Sequence, residues 1–490
     1  MPYPEWSLLR EKGVDGHTGV IRLRPLKYVA PHWLGVCFMT TALTISALPY
    51  STDPLALFAK LRHRPGAVLL DSGRPKATTG RFDIVSSDPL ATLTMTPEGD
   101  TRLSSDMLTL PASLAEDVTA QQQWLIEQLP AVNVKSELPF LGGLMGYWSY
   151  DLGRNRADIA SQHPAATRLP LLRVGLFDWC ITLDHVKEQA WFVGSPARRE
   201  QVAAWLAAPD TPTTPFKLTQ RFSPELTQAA YTERFDAVQR YIRAGDCYQI
   251  NLAQRFTAHY EGDEWQAYLQ LRKATPTPFS GFMAWGHQAV LSLSPERFIQ
   301  SRDGLVETRP IKGTRPRGKT PDQDRALAND LLSSTKDRAE NVMIVDLLRN
   351  DLGRVCVPGS IRVPQLCQLE SYPNVHHLVS VVQGQLASQH SPLSLLTAAF
   401  PGGSITGAPK IRAMQIIDEL EPCQRSVYCG SLGYIDVRGS MDTSIAIRTM
   451  VADDGALHVW GGGGLVADSQ AEEEYTETLD KIRHLIGALE

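Results

Sequence analysis

Short apolar–polar alternations dominate the first part of the chain. The runs 67–71, 82–85, 91–95, 172–181 and 189–193 are β-rich, and Pro and Gly break them apart, so they predict strands. Leu55–Leu61 and residues 199–207 predict short helices instead. A Pro- and Thr-rich stretch at 209–215 predicts a linker. Beyond it, 231–244 places Phe235, Val238, Tyr241 and Ile242 on one helical face, with Gly245 as the C-terminal stop. The remainder alternates predicted strands (289–293, Ser431–Asp436, 443–451, 458–460) with helices over 335–348, 411–420 and the C-terminal stretch. Ser469-Gln470-Ala471-Glu472 predicts a capping box for that last helix.

Three parts are therefore expected: an extension 1–38, a sheet-rich half 39–210 and a second half 225–490. Arg22, Arg24 and Lys27 precede the apolar run 33–48 in the manner of a secretion signal. Thr40, Thr41, Thr44 and Ser46 interrupt that run, and its later half alternates like a strand. The simpler expectation is that Met39 is the natural start and that 1–38 is a non-native or disordered extension.

Composition changes this picture little. Of 490 residues, 43% are hydrophobic and 21% charged, enough for a large globular core. The net charge of −5 and dispersed basic residues give no reason to expect a nucleic-acid partner. No apolar run predicts a membrane span. Seven cysteines without a C-x-x-C pair exclude a zinc ribbon and a disulfide framework, and suit a reducing cytosol.

Lys312 lies in Thr308-Arg309-Pro310-Ile311-Lys312-Gly313-Thr314. It is either a surface lysine beside a turn or a desolvated amine that loses its proton easily and acts as a nucleophile. Glu296, just after an apolar strand, is either salt-bridged to Arg297 or another neighbour, or a buried acid with a raised pKa. Asp337 and Glu340 share one helical face, and Glu474, Glu477 and Lys481 share another. They read as solvated helix charges, or as carboxylates that with a substrate oxygen could hold a hard cation. Arg448 at the end of a strand could clamp a carboxylate, whereas His377 in an apolar run reads first as a core histidine. Two glycine-rich turns, 401–410 and 461–464, expose backbone N–H groups to anions, but neither has the spacing of a P-loop.

Several of these stretches recur together in one family. Residues 245–252 (GDCYQINL), Ser294-Pro295-Glu296-Arg297-Phe298, Pro310-Ile311-Lys312-Gly313-Thr314, the segment 337–351, Gly407-Ala408-Pro409-Lys410 and residues 464–469 (GLVADS) resemble the chorismate-utilising enzymes. The resemblance covers about 45–490. It implies an α+β fold in which antiparallel β-sheets pack against each other with helices outside. It also implies magnesium (Mg2+), chorismate as substrate and a small glutaminase partner that supplies ammonia.

Lysine at position 312 marks the branch that forms aminodeoxychorismate for p-aminobenzoate and folate; anthranilate and isochorismate synthases typically carry alanine there. The same resemblance assigns roles. Glu340 and Glu477, with Glu474 nearby, would hold Mg2+; Arg448, Lys481 and the backbones of Gly407, Gly462, Gly463 and Gly464 would hold or support the substrate. Lys312 would add to the ring while Glu296 protonates the departing hydroxyl, His377 would position the ring, and Thr406 and Tyr434 would wall the site. A tryptophan-sized pocket is implied near the turn Leu69-Leu70-Asp71-Ser72. An anthranilate- or isochorismate-type synthase, or a silent tryptophan-binding scaffold, are the competing expectations.

Overall fold

A computed structural model describes residues 7–8, 23–24 and 43–490, except 78, 133 and 373–374. The expectation for 1–38 falls outside the described residues, save that Ser7–Leu8 pairs with Leu23–Arg24. Two large sheets form the rest, one of 12 and one of 11 strands among the described residues. Every pairing in them is antiparallel, as in Leu69 with Phe282 and Gly433 with Gly146. Each sheet takes strands from both sides of residues 209–215.

The main core lies between the sheets. Met283, Val290 and Val451 of the larger sheet share one apolar cluster with Leu144, Val306 and Leu432 of the smaller. Helices Leu55–Leu61, Pro196–Ala207, Glu264–Ala274 and Ala471–Leu489 cover the outer face of the larger sheet through Phe58, Trp205, Leu271 and Leu485. The expected α+β arrangement is thus present. Helix Gln228–Ala244 follows its predicted stripe: Phe235 and Val238 are buried, each worth about 1.5–3 kcal/mol by area, and Tyr241 and Ile242 pack partly buried against the same cluster. Gly245 ends it in the left-handed region at φ 82°, where glycine carries no Cβ penalty.

Three expectations are corrected. The run 172–181 is not one strand but two, Leu172–Phe177 in the smaller sheet and Cys180–Asp184 in the larger. The chain crosses between sheets at Asp178-Trp179, and the buried Trp179 Nε1 donates to Ser87 O at 2.8 Å. The run 443–451 likewise splits into Met441–Ile445 and Thr449–Asp453, which lie in different sheets. An apolar pattern cannot reveal such a crossover, because both strands are buried on both faces.

Second, residues 461–464 are not a turn. They lie inside strand Ala456–Leu465, paired along Gln249–Glu261. The glycines are needed for close packing: a Cβ at Gly463 would lie 2.8 Å from Glu474 Oε2. Third, the last helix begins at Ala471 with Gln470 as N-cap and no side-chain cap. Ser469 Oγ instead donates to Glu474 Oε1 at 2.6 Å and accepts from Val466 N, so the capping box does not form.

Candidate active site

Two crossovers between the sheets stand side by side and present the first site residues. The chain leaves strand Gln288–Ser294 and enters Arg297–Arg302 through Pro295-Glu296. It makes the second passage through Ala446-Ile447-Arg448, with Arg448 at φ 51°. Backbone bonds tie the two together: Ile445 N donates to Glu296 O and Leu293 N to Arg448 O, both at 3.1 Å. Glu296 and Arg448 thereby stand on two short connections bonded to one another.

Lys312 comes from strand Ile311–Pro316, paired with Val375–Gln385. The register shifts between Lys312 and Thr314, and Gly313 adopts φ 80°. This bulge re-aims the side chain, so Lys312 is not a surface lysine beside a turn. Its Nζ donates to Ser404 O at 3.5 Å. Ser404 Oγ in turn donates to Glu296 Oε1 at 3.1 Å, so one residue of the loop 400–409 touches both. Arg297 pairs with Asp442 at 2.9 Å and leaves Glu296 free of it.

Electrostatics favour the neutral forms of this pair. Burial raises the Glu296 carboxyl to about 7, against the opposing pull of Lys312, the Ser404 hydroxyl, Lys481 and Arg448. Burial lowers the Lys312 amine, with Lys481 adding to the effect and Glu340, Glu296 and Glu477 opposing it. Lys312 keeps some solvent contact as a residue, but protein crowds its ammonium end. An amine and a carboxylic acid side by side can serve as nucleophile and proton donor.

Glu340 sits on helix Thr335–Gly353 and Glu474 and Glu477 on helix Ala471–Leu489. Burial raises Glu340 and Glu474. Burial also works to raise Glu477, but Lys481, 2.6 Å away, outweighs it and holds that carboxyl below its usual range. Lys481 also donates to Gly462 O at 2.6 Å. Among the described residues no three His, Cys, Asp or Glu side chains form a preassembled metal cage. The donor set nevertheless suits a hard cation: Glu474 Oε2 is buried without a hydrogen-bond partner, and Gly463 brings backbone against both Glu474 and Glu477.

The remaining predicted residues divide. The Arg448 guanidinium makes no hydrogen bond or ion pair among the described residues, and burial lowers its pKa. His377 Nδ1 lies 2.8 Å from Thr314 Oγ1; burial and Arg448 lower it to about 4. Gly407 belongs to a two-residue strand paired with Ile250. Gly464 packs between the Gln249 amide and Lys312 Nζ. Thr406 is fully buried and its hydroxyl donates to Gly402 O at 3.0 Å, so it is turned into its own loop.

Tyr434 packs against Phe140 and lines a cavity of about 1450 Å3 between the sheets. That cavity runs from Asp71 and Ile84 past Tyr434 to His377 and Arg448. It takes in Pro295 and Ile311 but not Glu296 or Lys312, so this space adjoins that pair without containing it. Ser72 borders the same region through Asp71, and its Oγ is buried without a partner. Sequence reasoning missed Ser404, Asp351 and Lys410 as individuals, although all three stood within the quoted motifs.

This fold and charge pattern define a chorismate enzyme: the chain belongs to the chorismate-binding enzymes, whose family model matches residues 67–487. Aminodeoxychorismate synthase component 1 of Salmonella typhimurium is 46% identical over 454 residues, 92% of this chain and 99% of that protein. The Escherichia coli K12 protein of the same name is 47% identical over 88% and 95% of the two chains. Anthranilate synthase component 1 of Pseudomonas putida is 37% identical over 89% and 92%. Among solved structures, anthranilate synthase component I from Streptococcus pneumoniae superposes with a TM-score of 0.73 at 30% identity, over 84% of this chain and 93% of that one. The menaquinone-specific isochorismate synthase of Escherichia coli shares the fold, with a TM-score of 0.70 at 18% identity over 92% and 95%. Among the described residues no helix is long and apolar enough to cross a membrane.

Proposed function

We propose that this chain is the chorismate-converting subunit of an aminodeoxychorismate synthase, joining chorismate and ammonia into 4-amino-4-deoxychorismate for p-aminobenzoate and folate. The observation that carries this reading is Lys312, a crowded amine bridged to the buried acid Glu296 through Ser404. Identity of 46–47% to components 1 of that name supports it.

Arg448, unpaired and largely buried, receives a substrate carboxylate and orients the ring. Lys312 Nζ forms a bond to ring carbon 2, the diene electrons move round the ring, and the bond from carbon 4 to its hydroxyl oxygen breaks. Glu296 gives its proton to that hydroxyl, which leaves as water, and recovers a proton from the Lys312 nitrogen. Ammonia then bonds to carbon 4, the electrons shift back and the bond from carbon 2 to Lys312 Nζ breaks; Glu296 gives its proton to the departing lysine nitrogen and takes one from the new nitrogen on carbon 4. His377, held neutral, hydrogen-bonds or packs beside the ring. Glu340 and Glu477, with Glu474 beside them, would hold Mg2+, which when bound supplies positive charge at the ring carboxylate.

No glutaminase nucleophile motif stands in the sequence, so a separate glutaminase subunit releases the ammonia, in keeping with the "component 1" names of the relatives. The free cysteines suit a cytosolic enzyme. Residues 39–210 carry the tryptophan-sized pocket around Ser72, and residues 225–490 carry the chemistry. The test is product identification after incubating the purified chain with chorismate, Mg2+ and ammonium. The expected product is 4-amino-4-deoxychorismate; an ortho-amino or ortho-hydroxy product overturns the assignment.

A further inference from the structure

Two motif residues that the reaction does not use meet in the interior. Lys410 Nζ donates to Asp351 Oδ2 at 2.6 Å and to Ala399 O at 2.7 Å. Asp351 is 1% exposed, and its other oxygen is buried with no hydrogen-bond partner. An ion pair in such a place, even with the Arg354 charge nearby, is costly to desolvate, and apolar packing would serve stability as well or better. Its location suggests another purpose.

Ala399 ends helix Pro392–Ala399, and Lys410 begins helix Lys410–Leu420. The single ammonium therefore closes the loop 400–409 at both ends. Asp351 fastens that closure to helix Thr335–Gly353, which also bears Glu340. The loop leans on the same helix, since a Cβ at Gly403 would lie 2.5 Å from Leu347. At its centre Ser404 touches Glu296 with its hydroxyl and Lys312 with its carbonyl.

We propose that the Lys410–Asp351 pair is a positioning device for the reaction: it clasps the loop 400–409 to the helix of Glu340 and so sets Ser404 against Glu296 and Lys312. Neither residue touches substrate; both act through Ser404. The inference rests on the reading of Glu296 and Lys312 as proton donor and nucleophile.

The test compares full-length Lys410→Met, Asp351→Asn and the double variant with the parent, in Tm, chorismate KM, kcat and the pH profile of kcat/KM. Asp351→Asn keeps the shape and an acceptor, so it guards against a variant that does not fold. Each single change should lower kcat about 10- to 100-fold, as a small misplacement near the chemistry does, with KM within about threefold. The double variant should be no slower than the slower single one, because both remove the same pair. The Ser404 hydroxyl holds Glu296 down, so loosening it should move the alkaline limb of the profile upward; Lys312, Lys481 and Arg448, the other groups facing Glu296, stay in place.

A pair that served only stability would lower Tm yet leave kcat and the limb as in the parent at temperatures well below Tm. That result overturns the clasp. It is distinct from failure of the reaction assignment, which shows in the parent's own product. The clasp is judged on kcat and the limb whatever that product is.

Discussion

Ser404 and Glu296, 108 positions apart in sequence, are joined by a hydrogen bond of 3.1 Å from the serine hydroxyl to Oε1. Strand Ile311–Pro316 brings Lys312 to the same serine, and burial pushes both reactive groups toward the forms without charge. Burial thus weakens the charged form of each group, with the two linked through one serine.

A pH profile of kcat/KM reports this directly. Glu296 donates only while protonated, and its carboxyl is raised to about 7, so activity should fall as pH rises through about 7. Glu296→Gln should lower kcat about 100- to 10,000-fold and abolish that limb. A limb that persists in the glutamine variant would belong to another group.

Arg448 should govern substrate affinity. Arg448→Met removes a charged hydrogen-bond donor at a mostly buried site, which costs about 1.5–3 kcal/mol. Chorismate KM should therefore rise on the order of 10- to 100-fold by steady-state kinetics. An unchanged KM would place the substrate carboxylates elsewhere.

Glu340→Gln should raise the magnesium concentration needed for half-maximal activity and weaken Mg2+ binding seen by calorimetry in the presence of chorismate. Identical magnesium dependence in both assays would remove Glu340 from the ligand set.

Much of this was legible in the sequence where a single local signal sufficed. Helix Gln228–Ala244 showed its stripe and its glycine stop, and Glu296, Lys312 and Glu340 each stood in a distinct motif. Crossovers between sheets were not legible, because Asp178-Trp179 and Arg448 interrupt runs that stay apolar on either side. Residues 461–464 looked like a turn, since glycine marks turns as well as strands against which a helix packs closely. Ser404 gave no signal of its own: its role exists only through partners 92 and 108 positions away.

Outside the site, Asp71 should be a keystone of stability. It accepts hydrogen bonds from Tyr268 Oη at 2.8 Å, Arg272 Nη2 at 3.0 Å and Gly73 N at 2.7 Å, all in the interior. Asp71→Ala leaves the Arg272 charge buried and should destabilise the fold by about 3–5 kcal/mol, read as a large drop in Tm. A Tm within experimental error of the parent would mean that solvent reaches Arg272.

The most direct test of the central claim is the rate of para-amination by Lys312→Ala, measured with chorismate, Mg2+ and saturating ammonium beside the parent chain. A participating lysine predicts that 4-amino-4-deoxychorismate formation collapses while the protein stays folded and still binds chorismate. Formation of that product by the alanine variant at the parent rate would contradict covalent participation by Lys312.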